Sequence, residues 1–274
     1  MSIKRLPTPQ CRYGNCGVVK TLARPIDRIN TAPRYTEVDA IRLNNMFRGR
    51  DTVEMLTVLL HEQMLGDAAI VSSFGAESAV LLHLIASIDP TVPVLFLDTG
   101  KHFPETLAYR DTLVERLGLR DFRNITPDPD ALAKCDETGL RWSYDPDGCC
   151  EFRKVIPLKA ALAPFDAQFT GRKAFQSATR AALPRFEIEE GRLKVNPLAD
   201  WDRAQIEAYM AEHDLPVHPL VAQGYPSIGC APCTSMVKPG EDPRAGRWRG
   251  WEKTECGIHT TIAGTDDGAN DPVF

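Results

Sequence analysis

No apolar run in this 274-residue chain is long enough to cross a bilayer. Its opening residues, MSIKRLPTPQC, contain no apolar core of the kind that directs export. A membrane span and secretion are therefore not expected. Basic charge is also in short supply: 32 Lys and Arg face 37 Asp and Glu, for a net charge of −5. Nucleic acid is a poor partner for such a chain, because neutralising phosphates needs clustered Lys and Arg. An anionic ligand would need a local basic patch, and Lys238, Arg244, Arg247, Arg249 and Lys253 could supply one. Eight cysteines without an export signal do not read as a disulfide framework. In a reducing cytoplasm, metal ligation or redox catalysis accounts for them better.

Residues 1–38 are irregular and Pro-containing, and read as an arm. Cys11 and Cys16, spaced CRYGNC, read there as free thiols. A helical pattern covers about 39–66. Short apolar runs then alternate with helical segments: strands at 68–74, 93–100, 122–127 and 166–171, and helices at 78–88 and 104–118. A further helix is expected over 149–162, where Pro157 leaves room for a break. A hairpin turns at Glu190-Gly191, and an amphipathic helix covers 201–213. Strands alternating with helices predict an α/β fold, a mostly parallel sheet with helices on both faces.

Such sheets bind ligands beyond the carboxyl ends of their strands. The first strand runs into Ser73-Phe74-Gly75-Ala76-Glu77-Ser78, where a Ser- and Gly-containing turn opens a helix. Free N–H groups there suit an anion, although a plain tight turn has the same look. The second strand ends at the same edge, in Asp98-Thr99-Gly100, and the pair makes a nucleotide cleft the better reading. Arg172 and Lys173, then Gln176 to Arg180, follow the fourth strand at this edge, where a solvated loop is the plain alternative. His102 reads as an ordinary hydrogen-bonding or surface residue.

Two cysteine pairs, Cys149-Cys150 and Cys230-x-x-Cys233, lie with 79 residues between Cys150 and Cys230. Four thiolates suit tetrahedral zinc or a [4Fe–4S] cluster. Adjacent cysteines would have to diverge to reach one ion, whereas a cubane offers them different irons. Cys256, in KTECGIH, stands apart from these pairs. Lys253 and His259 flank it at three residues, and nearby cations favour thiolate. Its polar, Gly-flanked setting predicts an exposed nucleophile on a flexible segment. Cys135 reads as an ordinary thiol.

These motifs carry a family resemblance. SFGAES, DTGKHFPET, the CC and CPC pairs, GRKAFQSATR, GYPSIGCAPCT, RAGRW and KTECGIH together resemble the assimilatory adenylyl-sulfate reductases of the iron–sulfur type. Those belong to the PAPS reductase family, with an adenine nucleotide alpha-hydrolase-like, Rossmann-like fold. The resemblance spans about residues 65–260.

It implies reduction of adenosine 5′-phosphosulfate (APS) to sulfite and AMP. It further implies a [4Fe–4S] cluster on Cys149, Cys150, Cys230 and Cys233, Cys256 as nucleophile through an S-sulfocysteine, and a thioredoxin or glutaredoxin-like reductant. Substrate contacts are expected from Ser73, Gly75, Glu77, Ser78, Asp98, Lys154, Arg172, Arg244, Arg247 and His259. ATP-using relatives carry a pattern close to SGGxDS. Phe74 replaces its first Gly and is expected to narrow the space for a triphosphate. Rival readings are a 3′-phosphoadenylyl-sulfate (PAPS) or dual-specificity reductase, a tRNA thiolase, and a zinc-stapled binding protein. The domain reading is an arm over 1–38, a nucleotide- and cluster-binding domain over 39–235, and a C-terminal segment over 236–274 with Cys256 and a mobile tail. The sequence does not choose between monomer and homo-oligomer.

Overall fold

Five consecutive residues, Ala68–Ser72 (β1), form the apolar centre of a six-stranded sheet. The computed structural model describes residues 34–176, 180, 182–253 and 255–259. Cys11, Cys16, the residues before 34, part of GRKAFQSATR and the tail after His259 lie outside them. The other strands are Val94–Leu97 (β2), Phe122–Ile125 (β3), Ala167–Thr170 (β4), Phe186–Glu189 (β5) and Arg192–Val195 (β6). Their order is β3-β2-β1-β4-β6-β5, and all neighbours run parallel except the β5–β6 hairpin. Glu190 and Gly191 turn that hairpin with φ of 49° and 74°, the left-handed pair that a two-residue turn requires.

Side chains alternate across the sheet. Ile70, Phe96 and Phe169 join the larger core on one face, with Leu56, Leu59, Leu82 and Ile85. Ala69, Leu95 and Leu97 face the other side, under Leu158 and Leu162. Both faces are covered, which is why β2 is buried at every position. This is the α/β class that the sequence implies.

Eight α-helices are described: Glu37–Met46 (α1), Thr52–His61 (α2), Ser78–Ala86 (α3), Pro104–Arg116 (α4), Pro129–Cys135 (α5), Pro146–Cys150 (α6), Ile156–Leu162 (α7) and Arg203–Glu212 (α8). Three differ from expectation. The single helix over 39–66 is two. Gly49 takes φ of 70° between them, and the Asp51 carboxylate caps α2 by accepting from the Val53 and Glu54 N–H groups. The short α5 was not expected; Asp128 caps it and Pro129 fills its first turn. Pro157 does not break its helix. A π turn over Glu151–Val155 joins α6 to α7, and Pro157 stands in the first turn of α7, where its missing N–H is tolerated. Among the described residues, no helix is long and apolar enough to cross a membrane.

Candidate active site

Strand order reverses on either side of β1, and the carboxyl ends of β1 and β4 open there onto a cavity of about 480 Å³. Ser73, Gly75, Glu77 and Ser78 line it at the start of α3. A Cβ on Gly75 would stand 3.4 Å from the Ile228 carbonyl, so the loop runs close beneath the Pro226–Gly229 stretch.

Phe74 does not narrow this space. Its side chain is fully buried in the core, with ring centroids 5.4 Å from Phe96 and 5.9 Å from Phe122. It reaches there by taking φ of 48°, a conformation costly for a bulky residue and free for glycine. The aromatic anchor holds the turn where a flexible glycine would otherwise stand. Asp98 also does not line the cavity. Its carboxylate accepts from the Gly100 N–H at 3.0 Å and closes its own turn. The side chain of His259 lies outside the described residues.

Cations dominate the cavity wall. Lys173 is buried and its Nζ lies 2.8 Å from Glu77. Arg172 turns to Glu187 and to Asn196 Oδ1, the latter at 3.1 Å. Burial, then the neighbouring Arg180 charge, lowers its pKa to about 10. Arg180 and Arg244 both reach Glu255. The Arg247 guanidinium lies 4.4 Å from the Trp248 ring centroid. Among the described residues its buried Nε has no hydrogen-bond partner, an unmet demand for an acceptor. His102, read from sequence as an ordinary residue, also lines the cavity. Its Nε2 donates to the Leu97 carbonyl at 2.8 Å, which leaves Nδ1 as a buried acceptor with no partner among the described residues.

Beside this cavity the four paired cysteines line a second, much smaller one with Lys101, Arg153 and Lys154. Cys149 and Cys150 close α6, while Cys230 and Cys233 bracket a 3-10 turn. Thr99 Oγ1 lies 3.3 Å from Cys230 Sγ. Arg153 is fixed in the π turn by the Thr99 carbonyl and the Asp136 carboxylate, each at 2.6 Å. Burial pushes the Cys149 thiol up to about 11 and also raises Cys233. Among the described residues, no three metal-ligating side chains gather as they would round a single ion. Four cysteine sulfurs lining one small cavity are a soft donor set of the kind that both zinc and iron–sulfur clusters use.

Cys256 lines the larger cavity and packs against Cys150 of the smaller one, and here the structure corrects the sequence reading. The residue is 9% exposed, packed with Cys150 and Trp248. A hydrogen bond from the Cys150 thiol holds Cys256 well below the usual thiol range, against burial and with help from Lys154 and Arg247. Burial works against the Lys154 charge, but the Cys230, Cys256 and Cys150 sulfurs raise its pKa overall. Lys154 lines both cavities. Cys135 lines neither.

Sequence reasoning missed Glu255 and Gly229; it set Arg180 and Thr99 at the ligand edge without giving either a part. Arg180 and Glu255 carried only a charge each and stand 75 residues apart. Gly229 lay inside a quoted motif without an assigned part.

The family model described as "Phosphoadenosine phosphosulfate reductase domain" matches residues 67–236. An adenosine 5′-phosphosulfate reductase of Mesorhizobium japonicum is 52% identical over 236 residues, covering 86% of this chain and 93% of that protein. A phosphoadenosine 5′-phosphosulfate reductase of Gloeobacter violaceus is 43% identical over 200 residues, covering 71% and 83%. Among solved structures, a phosphoadenylyl-sulfate reductase from Candida auris in a phosphate complex superposes with a TM-score of 0.62 at 26% identity. It covers 75% of this chain and 100% of that one.

Proposed function

The chain belongs to the phosphoadenosine phosphosulfate reductase domain family, and we propose that it reduces APS to sulfite and AMP. The observation that carries this reading is the place of Cys256. Its thiol lies beside Lys154 and lines the same cavity as Arg244, Arg247 and the Ser73–Ser78 turn. A nucleotide in that cavity would bring its anionic end to the arginines and its sulfur to the thiolate.

In this reading the Cys256 thiolate attacks the sulfuryl sulfur and forms an S–S bond. The bond from that sulfur to the bridging oxygen breaks, and AMP leaves with the electron pair. Arg244, Arg247 and Lys154 offset charge on the phosphate and sulfonyl oxygens. A dithiol protein of the thioredoxin type then attacks Cys256 Sγ. The S–S bond to the sulfonate breaks and sulfite leaves with its electron pair; the partner's second thiol then attacks the mixed disulfide, closes a disulfide in the partner and releases the Cys256 thiolate. The dithiol is oxidised by two electrons and the sulfur is reduced by two.

Cys149, Cys150, Cys230 and Cys233 would hold a [4Fe–4S] cluster. When bound, it supplies a fixed array of charge beside the reacting anion. A Cys150 sulfur bound to iron has no proton to give, so Lys154 and Arg247 would then stabilise the Cys256 thiolate. Chemistry that depends on free thiols suits a reducing cytoplasm.

The test is incubation of the iron-loaded protein with APS and no thiol donor. One sulfonate should appear on the peptide containing Cys256. Cys256→Ser should retain iron but form no adduct and release no sulfite, because a hydroxyl is a far weaker nucleophile. Sulfite release by that variant near the wild-type rate would overturn the mechanism. Faster turnover of PAPS than of APS would move the assignment to the 3′-phosphorylated substrate.

A further inference from the structure

The residue before the nucleophile is tied down more firmly than the nucleophile itself. Arg180 holds the Glu255 carboxylate with two parallel bonds, Nε to Oε1 at 2.9 Å and Nη2 to Oε2 at 2.6 Å. Arg244 Nη2 reaches Oε2 at 3.3 Å. The Arg180 and Glu255 side chains are each 9% exposed, and bidentate carboxylate pairing is the strongest form such a contact takes. Arg180 is itself oriented from behind. Its Nη1 donates to Gln176 Oε1 at 2.6 Å, and Gln176 Nε2 donates to Glu77 Oε2 at 3.0 Å. Glu77 in turn takes Lys173 at 2.8 Å. A hydrogen-bonded chain therefore runs from the turn before α3 to the residue adjoining Cys256.

This tie has to be reversible if Cys256 serves two partners. The thiol must lie at the cavity for attack on a small anionic substrate. It must be reachable when a dithiol protein comes for the sulfonated product, yet it is only 9% exposed. Glu255 also shares Arg244 with whatever anion enters the cavity. An anion that draws on Arg244 would leave Glu255 held by Arg180 alone among these two arginines.

We propose that Glu255 is a positioning residue, a latch that holds the Cys256 segment over the cavity through Arg180 and Arg244 and sets how readily it opens. The two halves of the reaction should respond to it in opposite directions, a consequence that rests on the function proposed above. Weakening the latch slows sulfonation of Cys256, which needs the closed segment. It speeds removal of the sulfonate, which needs the open one. A merely stabilising contact would slow both.

The experiment compares wild type, Glu255→Gln and the charge-exchanged Arg180→Glu/Glu255→Arg protein, all as iron-loaded full chains. Iodoacetamide labelling of the Cys256 peptide, read by mass without nucleotide, should be roughly tenfold or more faster in Glu255→Gln, the scale of losing one charge-assisted contact. The charge exchange should return labelling toward the wild-type rate. In single turnover with APS, Glu255→Gln should sulfonate more slowly, and dithiothreitol should then release sulfite faster from its sulfonated form. Unchanged labelling in Glu255→Gln, faster labelling accompanied by loss of iron, no rescue on charge exchange, or slowing of both half-reactions would each overturn the latch. A wild type that never becomes sulfonated would sink the reductase reading alone, since labelling still decides whether Glu255 holds the segment.

Discussion

The Arg247 guanidinium fills the space that a side chain on Gly229 would need. A Cβ there would stand 2.2 Å from Arg247 Nη2 and 2.5 Å from Cζ. Gly229 belongs to the stretch just before Cys230, so the turn that presents the cysteine also makes room for the arginine. Because the obstructing atoms end a flexible side chain, Gly229→Ala should fold and keep its iron. It should displace Arg247 from the Trp248 ring and lower kcat/KM for APS by about ten- to a hundredfold, the loss of one charged hydrogen bond. Steady-state kinetics beside iron analysis checks this, and unchanged kcat/KM would argue against Arg247 as an anion ligand.

The two cysteine pairs should hold iron and not zinc. Protein purified without oxygen is expected to carry about four irons per chain, the content of one cubane. Cys230→Ser should lose most of it, because the hydroxyl is a harder and poorer donor. Metal analysis decides, and one zinc per chain with no iron would reverse the assignment.

Phe74 makes a differential prediction. Replacing its buried ring by Ala should destabilise the protein by about 3–5 kcal/mol. Phe74→Gly loses the same packing but no longer holds a Cβ at φ of 48°. It should therefore be the more stable of the two, by about 1 kcal/mol. Thermal unfolding of both variants tests the order, and a less stable glycine variant would show that the turn is not strained.

His218 predicts a pH dependence of stability. It is fully buried, with Nε2 3.0 Å from Thr106 Oγ1 and Nδ1 accepting the Leu220 N–H at 3.2 Å. Burial lowers its pKa from 6.5 to about 4, with Glu105 opposing. The folded protein thus binds this proton less readily than the unfolded chain. The resulting stability is whole above about pH 6.5 and is lost as pH falls toward 4. The loss should be of order 3 kcal/mol. Denaturant unfolding at pH 7, 6 and 5 should show this slope, and His218→Gln should lack its share of it.

Local order made much of this protein legible from its sequence. Apolar runs such as AAIVS and VLFL declare buried parallel strands, because a strand covered on both faces has no polar side to show. Turn chemistry exposed the Glu190-Gly191 hairpin. The joint spacing of CC, CxxC and ECGIH pointed to sulfur chemistry and to a family.

What stayed hidden depends on residues far apart in the chain. Phe74 reads as an obstruction in SFGAES, and only Phe96 and Phe122 show that its ring points into the core. Pro157 leaves room for a break until its place in the first turn of α7 is seen. The setting of Cys256 looked polar and open, yet Trp248 and Cys150 bury it. Nothing near Glu255 in sequence announces Arg180. Strand, turn and motif follow from neighbouring residues, whose preferences are short-ranged and additive enough to read. The direction of a side chain, and the choice of one charge among many as its partner, is decided when distant segments compete for the same space. Here only tertiary packing made that choice.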